Sequence, residues 1–266
     1  MPKAQLNTPA AAEAFTGQPV LPPSNEAAAS RTVVTFCMGL GLSMAMGSAA
    51  LAQGHCTSEG IARPTALVER FINADCEACW GDPATPVPPQ RAMVLDWIVP
   101  GSQGEEAPLS AAATRDSITR LQSLGQPEPA RTAQRQARVE PSSAVRLRVA
   151  QGPAVNQYLG ASVRLQPVPP PAVRQGGWRA WLALVEQVPA GEAGTPVARQ
   201  LVRGLLEPPW SGRDKLSGED LRRLSESRVM SIPEGAQAER LRIVGWVEDA
   251  QGRVLAATQT RCVPAP

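Results

Sequence analysis

The sequence predicts an α+β protein in two parts, the first with strands and a helix, the second rich in antiparallel strands. Three observations predict this fold class. An apolar run at residues 66–72 leads into two cysteines spaced C-x-x-C, Cys76 and Cys79. A helical pattern covers residues 109–124. After residue 141, apolar and polar residues alternate, which is typical of half-buried strands.

The composition fits a folded chain with many turns and short strands. Hydrophobic residues make up 43% of the 266 residues, enough to form a core, and the 27 prolines and 22 glycines favour turns. The formal net charge of +2 is close to neutral, and it gives no reason to expect a nucleic acid or a strongly acidic partner.

The N-terminal residues predict export. Residues 1–31 are polar, rich in alanine and proline and without periodicity, as in a disordered leader. Residues 32–52 are uncharged and end in A-L-A, the A-x-A pattern of a signal-peptidase site. This segment is either a cleaved signal peptide or, because about 20 residues span a bilayer, an uncleaved anchor. Residues 53–266 are then periplasmic or secreted, or anchored to the inner membrane outside the cytoplasm.

Export changes what the cysteines predict. Cys37 lies in the export segment, which leaves Cys56, Cys76, Cys79 and Cys262. An even number of cysteines in an oxidising compartment predicts disulfides, and four cysteines allow three pairings. The simplest pairing joins Cys76 to Cys79 and Cys56 to Cys262 as a structural disulfide. So long a loop would stabilise the fold by about 4–5 kcal/mol in the chain-entropy model.

Residues 53–141 form the first predicted part. Its expected elements are a strand at 66–72, a proline-rich loop at 83–89, a strand at 92–99 and a helix at 109–124 that Gly125 ends. Beyond this helix, Arg131, Arg135 and Arg138 stand at spacings of four and three. That spacing fits one face of a helix, which either binds an anion or, more commonly, is only solvated.

Residues 142–266 predict a β-rich, sandwich-like part. The expected strands are 144–150, 161–166, 178–188, 240–248 and 253–262. The turn sequence D-A-Q-G at residues 249–252 joins the last two strands in a hairpin. The proline-rich residues 167–171 predict an extended loop, and residues 217–220 predict the capping box of a short helix.

The residues around the C-x-x-C pair belong to a longer motif. Val68, Glu69, Phe71, Cys76 and Cys79 match, without a gap, the pattern V-E-L-F-T-S-Q-G-C-x-x-C. This pattern resembles the opening of a bacterial secreted thioredoxin-like family of unknown function. Weaker similarities to that family follow at residues 94–97, 202–210 and 244–257. The resemblance implies a thioredoxin-like first part and a redox-active cysteine pair, in a family with no settled activity.

The chain departs from that family directly after the second cysteine. The family continues with two prolines and a full helix. Here residues 80–92 separate Cys79 from Met93, and four of these thirteen residues are proline. Because an internal proline removes a hydrogen bond and clashes with the preceding turn, a long helix cannot form there. The chain is therefore identified as a divergent member with a reduced thioredoxin-like domain at residues 53–141.

Thiol–disulfide exchange is the function that the cysteine pair favours. We expect Cys76 to be the attacking thiolate and Cys79 the resolving thiol. The carboxylates of Asp75 and Glu77 oppose this role, because negative charges raise the pKa of a neighbouring thiol. Two alternatives remain: a permanently oxidised ring that only stiffens its loop, and a zinc site built from all four exported cysteines.

A carboxylate inside the first strand needs an explanation. Burying a charge is costly unless it is paired. Glu69 is therefore a proton relay to Cys79, the ion-pair partner of an arginine such as Arg91, or a residue at an edge position of the sheet.

Other functional classes lack the residues they require. His55 is the single histidine, so a Ser-His-Asp or Cys-His hydrolase has little support. Nucleotide-binding glycine motifs are absent from the sequence, and no cofactor is expected. The tryptophans fit a core better than a ligand platform. The expected partners are periplasmic proteins with thiols or disulfides, without nucleic acid, and with the membrane only through residues 32–52 if these are not cleaved. The alternative function is a non-catalytic envelope binding or structural protein whose cysteines form structural disulfides.

Overall fold

The computed structural model of the chain describes residues 56–141, 145–166, 177–210 and 224–263. The predicted leader and export segment (1–52), the proline-rich loop at 167–171 and the capping box at 217–220 lie outside these ranges. Among the residues described, no helix is long and apolar enough to cross a membrane.

The described part of the chain contains twelve β-strands and two α-helices. In chain order they are β1 (Cys56–Thr57), β2 (Ala66–Asn73), α1 (Glu77–Trp80), β3 (Ala92–Val99), α2 (Arg115–Ser123), β4 (Thr132–Arg138), β5 (Arg146–Val155), β6 (Tyr158–Gln166), β7 (Trp178–Val188), β8 (Arg199–Leu206), β9 (Leu224–Ser231), β10 (Leu241–Asp249), β11 (Val254–Gln259) and β12 (Arg261–Cys262).

The larger sheet has seven strands in the order β11-β10-β7-β8-β3-β2-β4. β2 runs parallel to β3, and β3 runs parallel to β8, while the other neighbours are antiparallel. β2, β3, β7 and β10 are central strands whose residues are almost all buried, which explains their continuous apolar runs. At one end, Val139 bridges Val254, so the chain after β4 reaches the opposite edge strand of this sheet.

The smaller sheet has five strands in the order β12-β1-β5-β6-β9. β5 and β6 alternate buried and exposed residues, as expected for strands with one face in a core. β1 lies between β5 and β12, and Cys56 is directly opposite Cys262. The start and the end of the described chain therefore meet in one sheet.

The two sheets pack face to face around a shared apolar core. Inward residues of β5 and β6, including Leu147, Val149 and Val163, contact buried residues of β7 and β10 such as Leu182 and Ile243. The approach is close at Gly245 on β10, where a Cβ atom would lie 2.8 Å from Cγ1 of Val149. This contact requires glycine because a side chain has no room between the sheets.

The predicted α+β class, with a thioredoxin-like first part, is wrong. The described residues are mostly strand, and both α-helices are short. α1 ends at Trp80 because Pro83 and the prolines after it stop helical continuation. β2, β3 and β4 share one sheet with β7, β8, β10 and β11, so strands from both sides of residue 141 form a single layer. The β-rich, sandwich-like architecture predicted for residues 142–266 thus extends to residues before 142.

The helical predictions after β3 are corrected in part. The helix expected at 109–124 is a 3-10 turn at Ser110–Ala112 followed by α2, and Gly125 follows with a positive φ of 64°. The arginine-rich segment forms strand β4 and not a helix face. Successive β4 side chains point to opposite faces, so Arg135 and Arg138 do not share a face. The spacing of the three arginines fits a helix but does not exclude a strand. The segment is a strand because it pairs with β2.

Candidate functional site

The C-x-x-C turn follows directly from the end of β2. The backbone N–H of Cys76 donates to the carbonyl of Asn73 at 2.9 Å, and the N–H of Asp75 donates to the Asn73 side-chain oxygen at 2.9 Å. Cys76 precedes α1, and Cys79 lies inside this four-residue helix. The apolar strand thus places both cysteines at its end.

The carboxylate of Asp75 is turned toward the loop after β3. It accepts hydrogen bonds from the backbone and the hydroxyl of Ser102, both at 2.8 Å, and a longer one from the N–H of Gln103 at 3.3 Å. The Ser102 hydroxyl bond and the two backbone bonds hold the pKa of Asp75 below its ordinary value. A Cβ on Gly101 would lie 2.1 Å from the Asp75 carboxylate, so glycine at 101 permits this contact.

Both predicted disulfides are present. Cys76 and Cys79 are bonded at an S–S distance of 1.96 Å, and both residues are half-buried. Cys56 and Cys262 are bonded at 2.09 Å and join β1 to β12. These four cysteines are thus used in two separate bonds and do not form one four-thiolate cluster. Among the described residues, no group of three or more His, Cys, Asp or Glu side chains is arranged to hold a metal ion.

Arg199 on β8 contacts α1, the short helix that contains Cys79. Its Nη2 donates to the carbonyl of Trp80 at 2.6 Å and to the hydroxyl of Thr85 at 3.0 Å. The guanidinium carbon also lies 5.0 Å from the ring centroid of Trp80. The Trp80 indole donates to the carbonyl of Ala193 at 2.7 Å. Two residues distant in sequence therefore fix the position of α1.

Asp96 on β3 is a buried acidic residue that contacts Arg199. Its Oδ1 lies 3.5 Å from Nη1 of Arg199 and 3.5 Å from Nη1 of Arg70, and its Oδ2 accepts the N–H of Gln200 at 2.8 Å. Burial raises the pKa of Asp96 above its ordinary value, although the Gln200 bond and both arginines act to lower it. One buried carboxyl group is thus placed between two guanidinium groups.

A pocket of about 390 Å³ opens beside Cys79. We call it the arginine pocket. The charged and polar residues that line it, together with the cysteine, are Arg70, Cys79, Asp82, Thr85, Arg131, Thr132, Gln134 and Arg199. A larger cavity of about 790 Å³ lies between β5 and β11, around Arg146 and Arg148. The smaller pocket is the relevant one for thiol chemistry, because a cysteine lines only that one of the two.

Glu69 belongs to a second buried charge cluster. Arg120 of α2 donates to both oxygens of Glu69 at 2.7 and 2.8 Å, and to both oxygens of Glu248 at 2.5 and 3.0 Å. Arg135 donates to Glu69 at 2.8 Å, and the guanidinium of Arg120 stacks 5.2 Å from the centroid of Trp181. Both partners of the central pair are fully buried.

The charges in this cluster stabilise one another. Burial alone would raise the pKa of Glu69, but the charges and hydrogen bonds of Arg120 and Arg135 outweigh it and lower the pKa. Burial alone would lower the pKa of Arg120, and its two carboxylate partners reverse this and raise it. Both groups are therefore ionised at neutral pH.

The structure shows which predicted explanation fits Glu69. Glu69 is the ion-pair partner of two arginines, Arg120 and Arg135, and not of Arg91. Both of its carboxylate oxygens accept hydrogen bonds from these guanidinium groups. Neighbouring residues on a strand point to opposite faces, and Arg70, not Glu69, lines the pocket with Cys79. The relay role stays a prediction without a supporting contact, and the buried carboxylate nearer the C-x-x-C turn is Asp96.

Two residues of this site were missed in the sequence: Asp96 and Arg199. Asp96 interrupts an apolar strand just as Glu69 does, and the same cost of burial could have singled it out. Arg199 had no local signal, because it meets α1 only through the pairing of β8 with β3. Trp97, Trp181 and the other tryptophans of the described strands are buried in the core, as expected.

Comparisons with known proteins add little to this geometry. No protein-family model matches the chain, and no curated protein matches it. Among solved structures, the chain is similar to HBP35 of Porphyromonas gingivalis, with a TM-score of 0.48 and 11% sequence identity over 74% of each chain. The resemblance of the C-x-x-C motif to the secreted family is tested by neither result.

Proposed function

We propose that this protein carries out thiol–disulfide exchange outside the cytoplasm, with Cys76 as the attacking thiolate and Cys79 as the resolving thiol. The observation that carries the proposal is a half-buried C-x-x-C disulfide whose second cysteine lines an arginine pocket. The partners would be exported proteins that carry thiols or disulfides. No cofactor is needed.

The cycle starts from the oxidised form of the protein. A partner thiolate attacks Sγ of Cys76, the Cys76–Cys79 bond breaks, and Cys79 leaves as a thiolate that takes up a proton. A second partner thiolate then attacks the partner sulfur of the mixed disulfide, and Cys76 leaves as a thiolate. The partner loses two electrons and gains a disulfide, and the protein gains two thiols. The reverse sequence reduces a partner disulfide.

The charges around the turn favour a thiolate more than the sequence implied. The carboxylate of Asp75, adjacent to Cys76, is engaged by Ser102. Arg70 and Arg199 both line the pocket at Cys79, and positive charge nearby lowers the pKa of a thiol. Glu77 is exposed, where solvent screens its charge. Both arginines also pair with the carboxyl group of Asp96, and Asp82 lines the same pocket, so the support for a thiolate comes from the arginines and is partly opposed by these acids.

The two disulfides differ in a way that supports separate roles. Cys56–Cys262 closes a separation of 206 residues between paired strands, and Cys56 is buried. Cys76–Cys79 closes a separation of three residues in a partly exposed turn. A bond that closes a long loop is suited to stabilising the fold, and an accessible short one is suited to exchange.

A non-catalytic envelope protein with structural disulfides is the second candidate. The observation that favours it is the short helix after Cys76, which spans only Glu77–Trp80. A helix of one turn contributes little of the dipole that activates a thiol at a longer helix. In this case Cys76–Cys79 would remain oxidised and would serve only the local geometry.

The test is the reduction potential of the Cys76–Cys79 pair in the purified protein. The protein is equilibrated with a glutathione series, thiols are alkylated, and the two cysteine pairs are read separately by peptide mass. A midpoint above about −250 mV, with one thiol that alkylates rapidly at pH 6, is expected for exchange. A midpoint below about −300 mV without a fast thiol would overturn the proposal and favour the structural candidate.

A further inference from the structure

The arginine pocket carries more positive than negative charge beside the disulfide. Three guanidinium groups line it, those of Arg70, Arg131 and Arg199. Two carboxylates oppose them: Asp96 from behind and Asp82 at the lining. Three guanidinium groups thus stand against two carboxyl groups. Of these residues, Arg70, Arg199 and Asp96 are buried.

The guanidinium of Arg70 is incompletely satisfied. Its Nη2 donates to the carbonyl of Pro86 at 2.7 Å, but its contact to Asp96 is 3.5 Å long. Its buried Nε has no hydrogen-bond partner among the described residues. Arg70 is 7% exposed, so water does not readily replace the missing acceptor. The Nε atom is itself shielded from solvent, so what Arg70 offers to a ligand in the pocket is the positive charge of its guanidinium and not this donor.

The rim of the pocket presents further donors. Gln134 on β4 lies directly opposite Arg70 on β2, so its side chain is on the same face of the sheet. Arg131 precedes β4 and is exposed, and its guanidinium has no ion-pair partner within the described ranges. A carboxylate seated here would meet the amide of Gln134 and the charge of Arg131 while remaining beside Cys79.

We propose that the arginine pocket binds a carboxylate carried close to the reacting sulfur of the substrate, so that the site prefers acidic thiols and disulfides. This inference rests on the proposed exchange function and names its substrate class. A carboxylate pairs with guanidinium groups in fork geometry, which a cationic or neutral thiol cannot do. The source is either an acidic side chain near a cysteine of a protein or a small acidic thiol.

The kinetic test uses three small disulfides of similar size: dithiodiglycolate (anionic), bis(2-hydroxyethyl) disulfide (neutral) and cystamine (cationic). The reduced protein attacks each disulfide through Cys76, releases one thiolate, and releases the second when Cys79 closes the protein disulfide. Each rate is divided by the rate of dithiothreitol with the same compound. We expect dithiodiglycolate to exceed cystamine by about tenfold, as for one ion pair at a partly screened site.

Two variants with matched controls locate the preference. Arg131→Gln removes a rim charge and Gln134→Glu adds a competing carboxylate, and each should reduce the preference to about threefold or less. Arg138→Gln and Gln136→Glu make the same changes at exposed positions on the same strand that do not line the pocket. These controls should retain the wild-type preference. Loss of the preference in all four variants, or in none, would overturn the inference.

A second arm separates this inference from the exchange function. Thiodiglycolate carries two carboxylates on a thioether and cannot exchange disulfides. It should bind the oxidised protein in NMR titrations and perturb amides of residues 131–134, with weaker binding to Arg131→Gln. Binding of thiodiglycolate without any disulfide reaction would support the carboxylate site and contradict the exchange function. Disulfide exchange without a charge preference and without thiodiglycolate binding would contradict the carboxylate site and leave the exchange function supported.

Peptide disulfides identify the source of the carboxylate. Two capped peptides are compared, one with Glu and one with Gln beside the cysteine. A preference for the Glu peptide assigns the pocket to acidic segments of proteins. A preference that appears only for dithiodiglycolate assigns it to small acidic thiols. Both results support the shared chemistry, and no preference in either set contradicts it.

Discussion

Replacing Arg120 by methionine tests whether the buried charge cluster stabilises the larger sheet. Methionine keeps an unbranched apolar stem but removes four hydrogen bonds to Glu69 and Glu248, at 2.5–3.0 Å. A charge-assisted bond contributes about 1.5–3 kcal/mol. Arg135 still donates to Glu69, and the Trp181 indole still donates to Glu248 at 3.1 Å. The net loss should therefore be that of breaking one buried ion pair, about 3–5 kcal/mol.

The assay is urea denaturation of the oxidised protein at pH 7, followed by tryptophan fluorescence and circular dichroism. The matched control is Arg148→Met, because Arg148 pairs with Glu59 while both side chains are more than half exposed. An exposed pair contributes at most about 1 kcal/mol. If Arg120→Met costs no more than the control, the cluster does not stabilise the sheet and the reasoning fails.

The pH dependence separates charge from packing in the same variant. In the wild type, the pKa of Glu69 is lowered in the folded state, so its contribution is present above its ordinary pKa of 4.5 and is lost as the pH falls toward the folded value. In Arg120→Met, Glu69 keeps only the hydrogen bond from Arg135, so protonation of its carboxyl group at low pH relieves part of the cost of burial. The difference between wild type and variant should therefore shrink from pH 7 to pH 3.5. An unchanged difference would assign the effect to packing.

Two glycine substitutions test close approaches in the fold. Gly245→Ala places a Cβ 2.8 Å from Val149 and should cost about 1–3 kcal/mol in the same denaturation assay. Gly101→Ala places a Cβ 2.1 Å from Asp75, and hydrogen exchange should accelerate at the next two amides, because they lose their carboxylate acceptor. Gly160→Ala, where a Cβ meets nothing within 4 Å, should leave both measurements unchanged. Equal effects in all three variants would contradict the geometry.

Local signals predicted much of the strand content and both disulfides. The apolar runs at 66–72 and 92–99 correspond to β2 and β3, and the hairpin around residues 249–252 corresponds to β10 and β11. The cysteine pairing followed from an even count and from the ends of the predicted exported region. The strands and the short disulfide depend on residues close in sequence, and the long disulfide was the simplest of three possible pairings.

The fold class and the surroundings of the C-x-x-C pair depend on distant contacts. The prolines after Cys79 predicted that no long helix follows it, and α1 indeed ends at Trp80, but the position of this short helix depends on residues far along the chain. The fit of the arginine spacing to a helix could not reveal that β4 would complete a sheet edge beside β2. Arg199 reaches the turn only because β8 joins β3 across more than 100 residues, as its contact with Asp96 shows. No local pattern contains such information.

The contacts around the C-x-x-C turn bear on whether its disulfide is a staple. Asp75 is fixed to Ser102, Trp80 is held by the carbonyl of Ala193, and Arg199 is bonded to the Trp80 carbonyl. These contacts come from three different segments of the chain and do not involve sulfur. A turn already held in this way gains little order from a covalent ring. The geometry therefore predicts that reduction of the Cys76–Cys79 disulfide frees two thiols but changes the free energy of unfolding little.

That prediction separates the two candidate functions. In the chain-entropy model, the separation of three residues limits the stabilisation by Cys76–Cys79 to about 2 kcal/mol, whereas the separation of 206 gives Cys56–Cys262 about 5 kcal/mol. Cys76→Ser/Cys79→Ser should therefore cost much less in urea denaturation than Cys56→Ser/Cys262→Ser. The reverse order would mean that the short ring holds the fold together, and an exchange site that must open its ring in every cycle would then be untenable.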